Sequence, residues 1–200
     1  MAVSTQLINA LADAFSPQVA RTYVAFADRA LVSAGLRSKA GRGAAAAQIT
    51  VTDAVHLIIG VAAPGEAKEA PVKVGQFGNL EADDSWRPAN ADDYIEGLDY
   101  LYALNEEHTF YEFLEAAIYC FMHKPELRHI FDGVKKGFFI EFSANPISVE
   151  ANVYFKMYQK NLSYEKYIGD YAENEKKGDL VRISQISSET LGRIAEVLKG

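Results

Sequence analysis

Residues 7–61 read LINALADAFSPQVARTYVAFADRALVSAGLRSKAGRGAAAAQITVTDAVHLIIGV, and the folding of this stretch decides the architecture. Leu7, Ile8, Leu11 and Phe15 recur at helical spacing behind Ser4-Thr5, which can cap a first helix. Ser16-Pro17 reads as a restart, with serine as N-cap and proline at the first helical position, where its missing N–H is harmless. The second helix is expected to bury Val19, Tyr23, Phe26, Ala27, Ala30, Leu31 and Ala34, and to end at Gly35 in a left-handed conformation. Leu36-Arg37-Ser38 then reads as extended, Lys39 to Gly43 as a turn, and Gln48 to Val51 as a returning strand. The alanine run 44–47 leaves helix as the alternative for that part. Thr52-Asp53 caps a closing helix over 54–63, with Val55, Ile58 and Ile59 inward. His56 on that helix reads as a packing or surface residue, with no metal-binding partner at useful spacing.

Working outward, the charge is uneven. The 200-residue chain carries a formal −7. Residues 1–63 hold five bases and three acids, a net +2, which leaves −9 for the remainder. Four of the five bases, Arg29, Arg37, Lys39 and Arg42, lie between Asp28 and Asp53 with no acid among them. A local positive patch on an acidic protein is compatible with DNA, because screening confines its field to about 10 Å. Glycines 41 and 43 allow close main-chain approach to a phosphate backbone, and Arg42 supplies charge-assisted hydrogen bonds. The second helix turns Gln18, Arg21, Thr22, Ala25 and Arg29 outward, a set that a major groove accommodates, although Asp28 brings a negative charge near the same face.

Beyond residue 63 the sequence reads as a packed α+β domain. Residues 66–90 mix Pro, Gly and charges and are expected to be a linker or arm, with Val72, Val74 and Phe77 as a possible edge strand. Asp92-Asp93 begins a helix to about Leu104. Thr109 and Glu112 have capping-box spacing ahead of a largely apolar helix from Phe110 to His123. Phe138, Ile140 and Phe142 alternate with Phe139, Glu141 and Ser143, Asn145-Pro146 turns, and Ile147 to Phe155 alternates back as a hairpin. Leu180 to Ile186 reads as a third strand, and Ser187-Ser188 caps a final helix with Leu191, Ile194, Ala195 and Leu198 inward. The polar, tyrosine-rich stretch from Tyr158 to Gly178 matches no element. The expected division is 1–65 as a winged helix-turn-helix-like domain, 66–90 as linker, and 91–200 as a C-terminal α+β domain with a small antiparallel sheet.

Catalytic and metal chemistry find little support. Cys120, His123, His108 and His129 form the one possible zinc set, but a closed zinc site shows two paired ligand motifs and here there is one pair. Cys120 sits in an apolar helix that raises a thiol pKa rather than activating it. There is no G-x-S-x-G, and the glycines at 41 and 43 lack the Gly-Lys-Ser/Thr of a phosphate-binding loop. The chain is expected to be no enzyme and to use no cofactor or metal. The single cysteine fits a reducing compartment, and no signal peptide or membrane span is read, so a cytoplasmic location is expected.

The segment LADAFSPQVARTYVAFADRALVSAGLRSKAGRG followed by ITVTDAVHLIIGVAA resembles the winged helix-turn-helix start of phage- and prophage-type regulatory or packaging proteins, over about the first third of the chain. In that family the helix after the turn reads the major groove and the wing touches the backbone. The resemblance implies Gln18, Arg21, Thr22 and Arg29 on a recognition helix and Arg37, Lys39 and Arg42 on a wing, with double-stranded DNA as partner. A homo-oligomer is expected, because few bases per chain bind DNA weakly at physiological salt. The alternative is an interaction module, an assembly component or inhibitor, whose acidic C-terminal part docks a basic protein without touching DNA.

Overall fold

The computed structural model describes residues 4–38, 48–82, 94–130, 136–144, 147–155, 160–168 and 183–200. The fold is α+β. Three helices come first: α1 (Ser4–Ala14), α2 (Arg21–Ser33) and α3 (Val51–Ala62). A 3-10 turn (Ala67–Glu69) leads into α4 (Ala70–Gly78). The short α5 (Asp99–Tyr102), the long α6 (Phe110–His123) and the short α7 (Leu127–Ile130) follow. Strands β1 (Lys136–Ala144), β2 (Ile147–Phe155), β3 (Lys160–Ile168) and β4 (Ile183–Ser187) form an antiparallel sheet in the order β3-β2-β1-β4, and α8 (Ser188–Lys199) closes the chain. Among the described residues no helix is long and apolar enough to cross a membrane.

The caps explain several boundaries. Gly35 has φ 76°, Leu36 N–H donates to Leu31 O at 2.9 Å and Gly35 N–H to Val32 O at 3.2 Å. This is the left-handed stop expected at the end of α2, which only glycine adopts without Cβ crowding. α6 runs over the expected residues because Thr109 and Glu112 cap it reciprocally, with Glu112 N–H to Thr109 Oγ1 at 3.3 Å and Thr109 N–H to Glu112 Oε2 at 2.7 Å. The hairpin register also follows the alternation, pairing Ala144 with Ile147 and Phe138 with Val153.

Other elements depart from the sequence expectation. α2 begins at Arg21 rather than Pro17; Ser16-Pro17 is a cis peptide in a turn where Val19 N–H donates to Phe15 O at 3.0 Å. Residues 48–50 are not a strand: Thr50 is the N-cap of α3, in a capping box with Asp53, and Val51 is already helical. A side chain that satisfies the first free N–H groups of a helix fixes its start three residues before the expected one. The segment 66–90 is not a linker where it is described, since α4 packs on α3 and buries Ala70, Val74 and Phe77. The expected helix over 92–104 is reduced to one turn at α5. The unplaced tyrosine-rich stretch supplies β3, and the last strand is described over Ile183–Ser187, the residues expected before 183 lying outside the described ones.

The sheet presents Phe138, Ile140 and Phe142 of β1 to the helices, all fully buried. Phe142 meets Phe110 edge-on at 5.5 Å and Phe77 at 5.8 Å, while Phe138 meets Phe121 edge-on at 5.8 Å. Each such side chain contributes about 1.5–3 kcal/mol by burial, and edge-to-face geometry adds to it. α8 packs against both α1 and α6, so the last helix lies on the first. Among the described residues one apolar cluster runs from Leu7 to Ala195, and it takes in Ala70, Val74, Phe77 and Leu80.

At the junction of α2, α3 and α4 lies Lys73, only 2% exposed. Its ammonium donates to Gly60 O and Ala63 O at 2.9 Å each and to Tyr23 Oη at 3.0 Å. The tyrosine in turn donates to Gly65 O at 2.6 Å. The cation thus satisfies carbonyls at the C-terminal, negative end of α3. Burial lowers its pKa to about 8.

Candidate nucleic-acid interface

The geometry of α2 sorts its side chains. At about 100° per residue, Arg21, Thr22, Ala25, Phe26, Arg29 and Ser33 share one arc, while Val24, Ala27 and Leu31 occupy the opposite, buried one. Arg21, Thr22 and Arg29 are therefore brought together on one exposed face, and Gln18 is exposed in the turn before it. Two residues expected inward are not. Phe26 is 57% exposed and lies within this face, and Ala34 is exposed at the C-cap. Arg29 lies flat on Phe26, its guanidinium carbon 4.2 Å from the ring centroid, and its Nε–H donates to Ala25 O at 3.2 Å. These contacts hold the guanidinium in place without neutralising it. Among the described residues no ion pair engages Arg21 or Arg29.

Arg37 is not on an exposed wing. Its side chain is 1% exposed, and Nη2 pairs with Asp28 Oδ1 at 2.7 Å. The same nitrogen donates to Ser4 Oγ at 2.9 Å, and Nη1 donates to the main-chain O of Asp53 at 3.3 Å. One guanidinium thus ties α1, α2 and α3 together. A buried cation requires such partners, because desolvation without them costs several kcal/mol. Asp28 is correspondingly turned inward, away from the exposed arc. Burial raises its carboxyl pKa above the ordinary range, against the pull of Arg37.

Asp53 holds both roots of the segment that carries Lys39 and Arg42. Its Oδ1 accepts from Ser38 N–H at 2.9 Å and its Oδ2 from Thr50 N–H at 3.1 Å. Although burial opposes it, the hydrogen bonds from Ser38 and Thr50 and the nearby Arg37 hold this carboxyl below the ordinary value. The chain before residue 39 and after residue 47 therefore meets on one carboxylate, beside the Asp28 edge of α2. Lys39 and Arg42 themselves lie outside the described residues. Sequence reasoning missed Ser4 and Asp53 as parts of this arrangement. The Thr50-x-x-Asp53 spacing was a legible signal for the cap, but nothing local marks Asp28 and Arg37 as partners.

The zinc set does not converge. His108 precedes α6 and is buried with Nδ1 2.6 Å from Asn105 O, whereas Cys120 and His123 sit at the far end of the helix. The thiol of Cys120 is pushed up to about 11 by burial, and His123 stacks on Tyr100. The side chain of His129 lies outside the described residues.

No family model matches the chain, and no curated protein or solved structure is significantly similar to it.

Proposed function

We propose that this chain binds duplex DNA, without catalysis of its own, through the exposed face of α2 and the basic segment that follows it. The observation that carries the reading is the fate of Asp28. The one acid on α2 is buried and paired with Arg37, so the face bearing Arg21, Thr22 and Arg29 carries positive charge alone. α2 has 13 residues, about 20 Å of helix, and the major groove admits a helix of that kind. Lys39 and Arg42 belong to a segment whose roots, Ser38 and Thr50, meet on Asp53 beside this face. That arrangement supports a backbone-contacting role for the segment between those roots. Few cations per chain means weak, salt-sensitive binding, which a second copy would strengthen. A regulatory or packaging role, as in the resembling phage proteins, is the biological setting this reading fits.

The test is fluorescence anisotropy with a labelled duplex at low salt. Wild type should bind, and Arg21→Ala, Arg29→Ala and Arg42→Ala should each weaken binding and reduce the salt slope by about 1. No binding by wild type, or variants that bind as wild type does, sinks the reading. Arg37→Ala is unsuitable as a probe, because it would act through folding.

A second reading has its own support. Residues 94–126 carry seven carboxylates against one lysine, Lys124, and expose Tyr100, Tyr119 and His123 in stacks 5.5 and 5.1 Å apart. An acidic surface with exposed tyrosines suits a basic protein segment. Recovery of a stoichiometric protein partner from a host extract, with no DNA binding by the purified chain, would favour it.

A further inference from the structure

A cleft of about 420 Å³ opens between α3, α4 and α6 beside Leu36, on a different part of the molecule's chemistry from the exposed face of α2. Its size lies within the range of roughly 300–1,000 Å³ typical of small-molecule sites. Three features define what fits. One wall is helix backbone: a Cβ built on Gly75 of α4 would meet no heavy atom within 4 Å, so the main chain itself faces open space. Pro71, Val74 and Leu36 make the adjoining apolar surface, and the ring of Tyr111 stands opposite. Asn79 adds an amide at the rim, and among the described residues no ionised side chain lines the cleft.

Of the two polar side chains His56 and Asn79, His56 is the one whose ring is held in a fixed direction. Leu36 O can only accept, so the contact of 2.5 Å between it and His56 Nδ1 places the hydrogen on Nδ1. In the neutral ring Nε2 is then a bare acceptor, and no described residue donates to it. The ring is also held from the side by Tyr111, at 5.3 Å between centroids and 53°. The hydroxyl of Tyr111 is occupied by Thr52 and Glu115, and burial pushes its pKa up to about 12, so it stays a neutral phenol. A tautomer fixed from behind and a ring fixed from the side make a directed acceptor beside the apolar surface of Leu36, Pro71 and Val74.

We propose that this cleft is a binding site for a neutral, planar aromatic molecule that carries one N–H or O–H donor, the class represented by indoles and phenols. The ring lies against the Gly75 backbone and Tyr111, and the donor reaches His56 Nε2. Carboxylate-bearing aromatics are disfavoured because none of the described lining residues is a cation that would meet them. The site borders Leu36, one residue from the buried guanidinium of Arg37, so an occupant contacts the chain where it leaves α2 for the basic segment. Ligand binding does not depend on the DNA reading and is tested without nucleic acid.

The experiment is a titration of the full chain with indole and with phenol, followed by saturation-transfer NMR and calorimetry, with benzoate as the anionic comparison. Gly75→Leu directs a side chain into the open space beside the Gly75 Cα and replaces a poor helix former, so helix propensity favours its folding, which circular dichroism checks before the titration. His56→Phe keeps an aromatic ring but removes the acceptor. Saturable binding of indole or phenol to wild type is expected, weakened about tenfold or more by each substitution, the worth of one hydrogen bond or more. Binding unchanged by Gly75→Leu would overturn the site. Benzoate binding as well as phenol would overturn the ligand class, and no saturable binding of either neutral probe would overturn both.

Discussion

Replacing Arg37 by methionine is expected to lower the stability of the chain by about 3–5 kcal/mol, the cost of breaking a buried ion pair from one side. The guanidinium makes three contacts, at 2.7 Å to Asp28, 2.9 Å to Ser4 and 3.3 Å to the main chain of Asp53. Two of these are hydrogen bonds to a charged group, worth about 1.5–3 kcal/mol each, so their loss alone is of the same order as that range. Methionine occupies much of the same volume, which keeps cavity formation out of the comparison. The remaining penalty falls on Asp28, left with 10% side-chain exposure and no directly paired cation. Its carboxyl is already raised by burial in the wild type, and loss of Arg37 raises it further. A carboxyl whose folded-state pKa is raised binds more protons in the native state, so stability falls as pH rises through that window. The deficit of Arg37→Met should therefore shrink on acidification from neutral pH toward the ordinary carboxylate range. Asp28→Leu combined with Arg37→Met should recover most of the loss, because an apolar pair of similar volume often replaces a buried ion pair at little cost. Urea titrations followed by circular dichroism, at neutral and mildly acidic pH, measure all three. A single variant within 1 kcal/mol of wild type (about a factor of five in the folding constant), or a deficit that grows on acidification, would refute the account of this network.

Three further outcomes follow from the same geometry. Lys73 has its pKa lowered to about 8, so the folded chain binds fewer protons than the unfolded one between there and the ordinary lysine value; wild type should gain stability relative to Lys73→Met as pH rises through that window, by at most about 3 kcal/mol, and urea midpoints that move together in both proteins would contradict it. Gly60→Ala places a Cβ 2.9 Å from Ala70 Cβ and 3.3 Å from Leu31 Cδ1, between α3, α4 and α2; the overpacking, about 1–3 kcal/mol, outweighs the gain in helix propensity of about 1 kcal/mol, so the melting temperature should fall. Glu189 is held down to about 2 by the paired contacts of Arg128, both at 2.6 Å, and by Arg193 at 2.7 Å; its stabilising share, small because the pair is partly solvent-screened, is present above the ordinary glutamate value and lost as pH falls toward 2, so Glu189→Gln should show a shallower acid limb than wild type in a pH-dependent melt.

Much of the architecture was legible locally. α6 could be bounded from Thr109 and Glu112, since a capping box acts over three residues and the apolar pattern behind it has one period. The β1–β2 hairpin follows from strict alternation around Asn145-Pro146, and the end of α2 follows from Gly35. In each case the deciding interaction lies within a few residues in the chain, so the sequence carries it directly. The charge asymmetry between the first third and the rest is equally a property of sequence alone.

The candidate site was legible only in part. Arg21, Thr22 and Arg29 are outward as their spacing implies, because helical period alone sorts faces, whereas Gln18 is exposed in the turn that precedes the helix. Phe26 defeated the same reasoning: a hydrophobic residue on the exposed arc gives no local sign that it will carry an arginine on its ring instead of entering the core. Arg37 looked like a wing residue because it sits among other bases, yet its fate was set by Asp28, nine positions away on a neighbouring element, and by Ser4 and Asp53 farther off. α4 was hidden in a segment whose composition reads as linker, since its helicity comes from packing on α3 rather than from propensity. The sequence by itself thus determined the Thr109–Glu112 cap, the Gly35 stop and the hairpin, which depend on interactions a few residues apart, and the charge balance, which is a matter of composition. The tertiary structure alone decided which charges are spent inside the fold and which remain on the surface. Burial and ion pairing depend on distances in space between residues that the chain keeps apart.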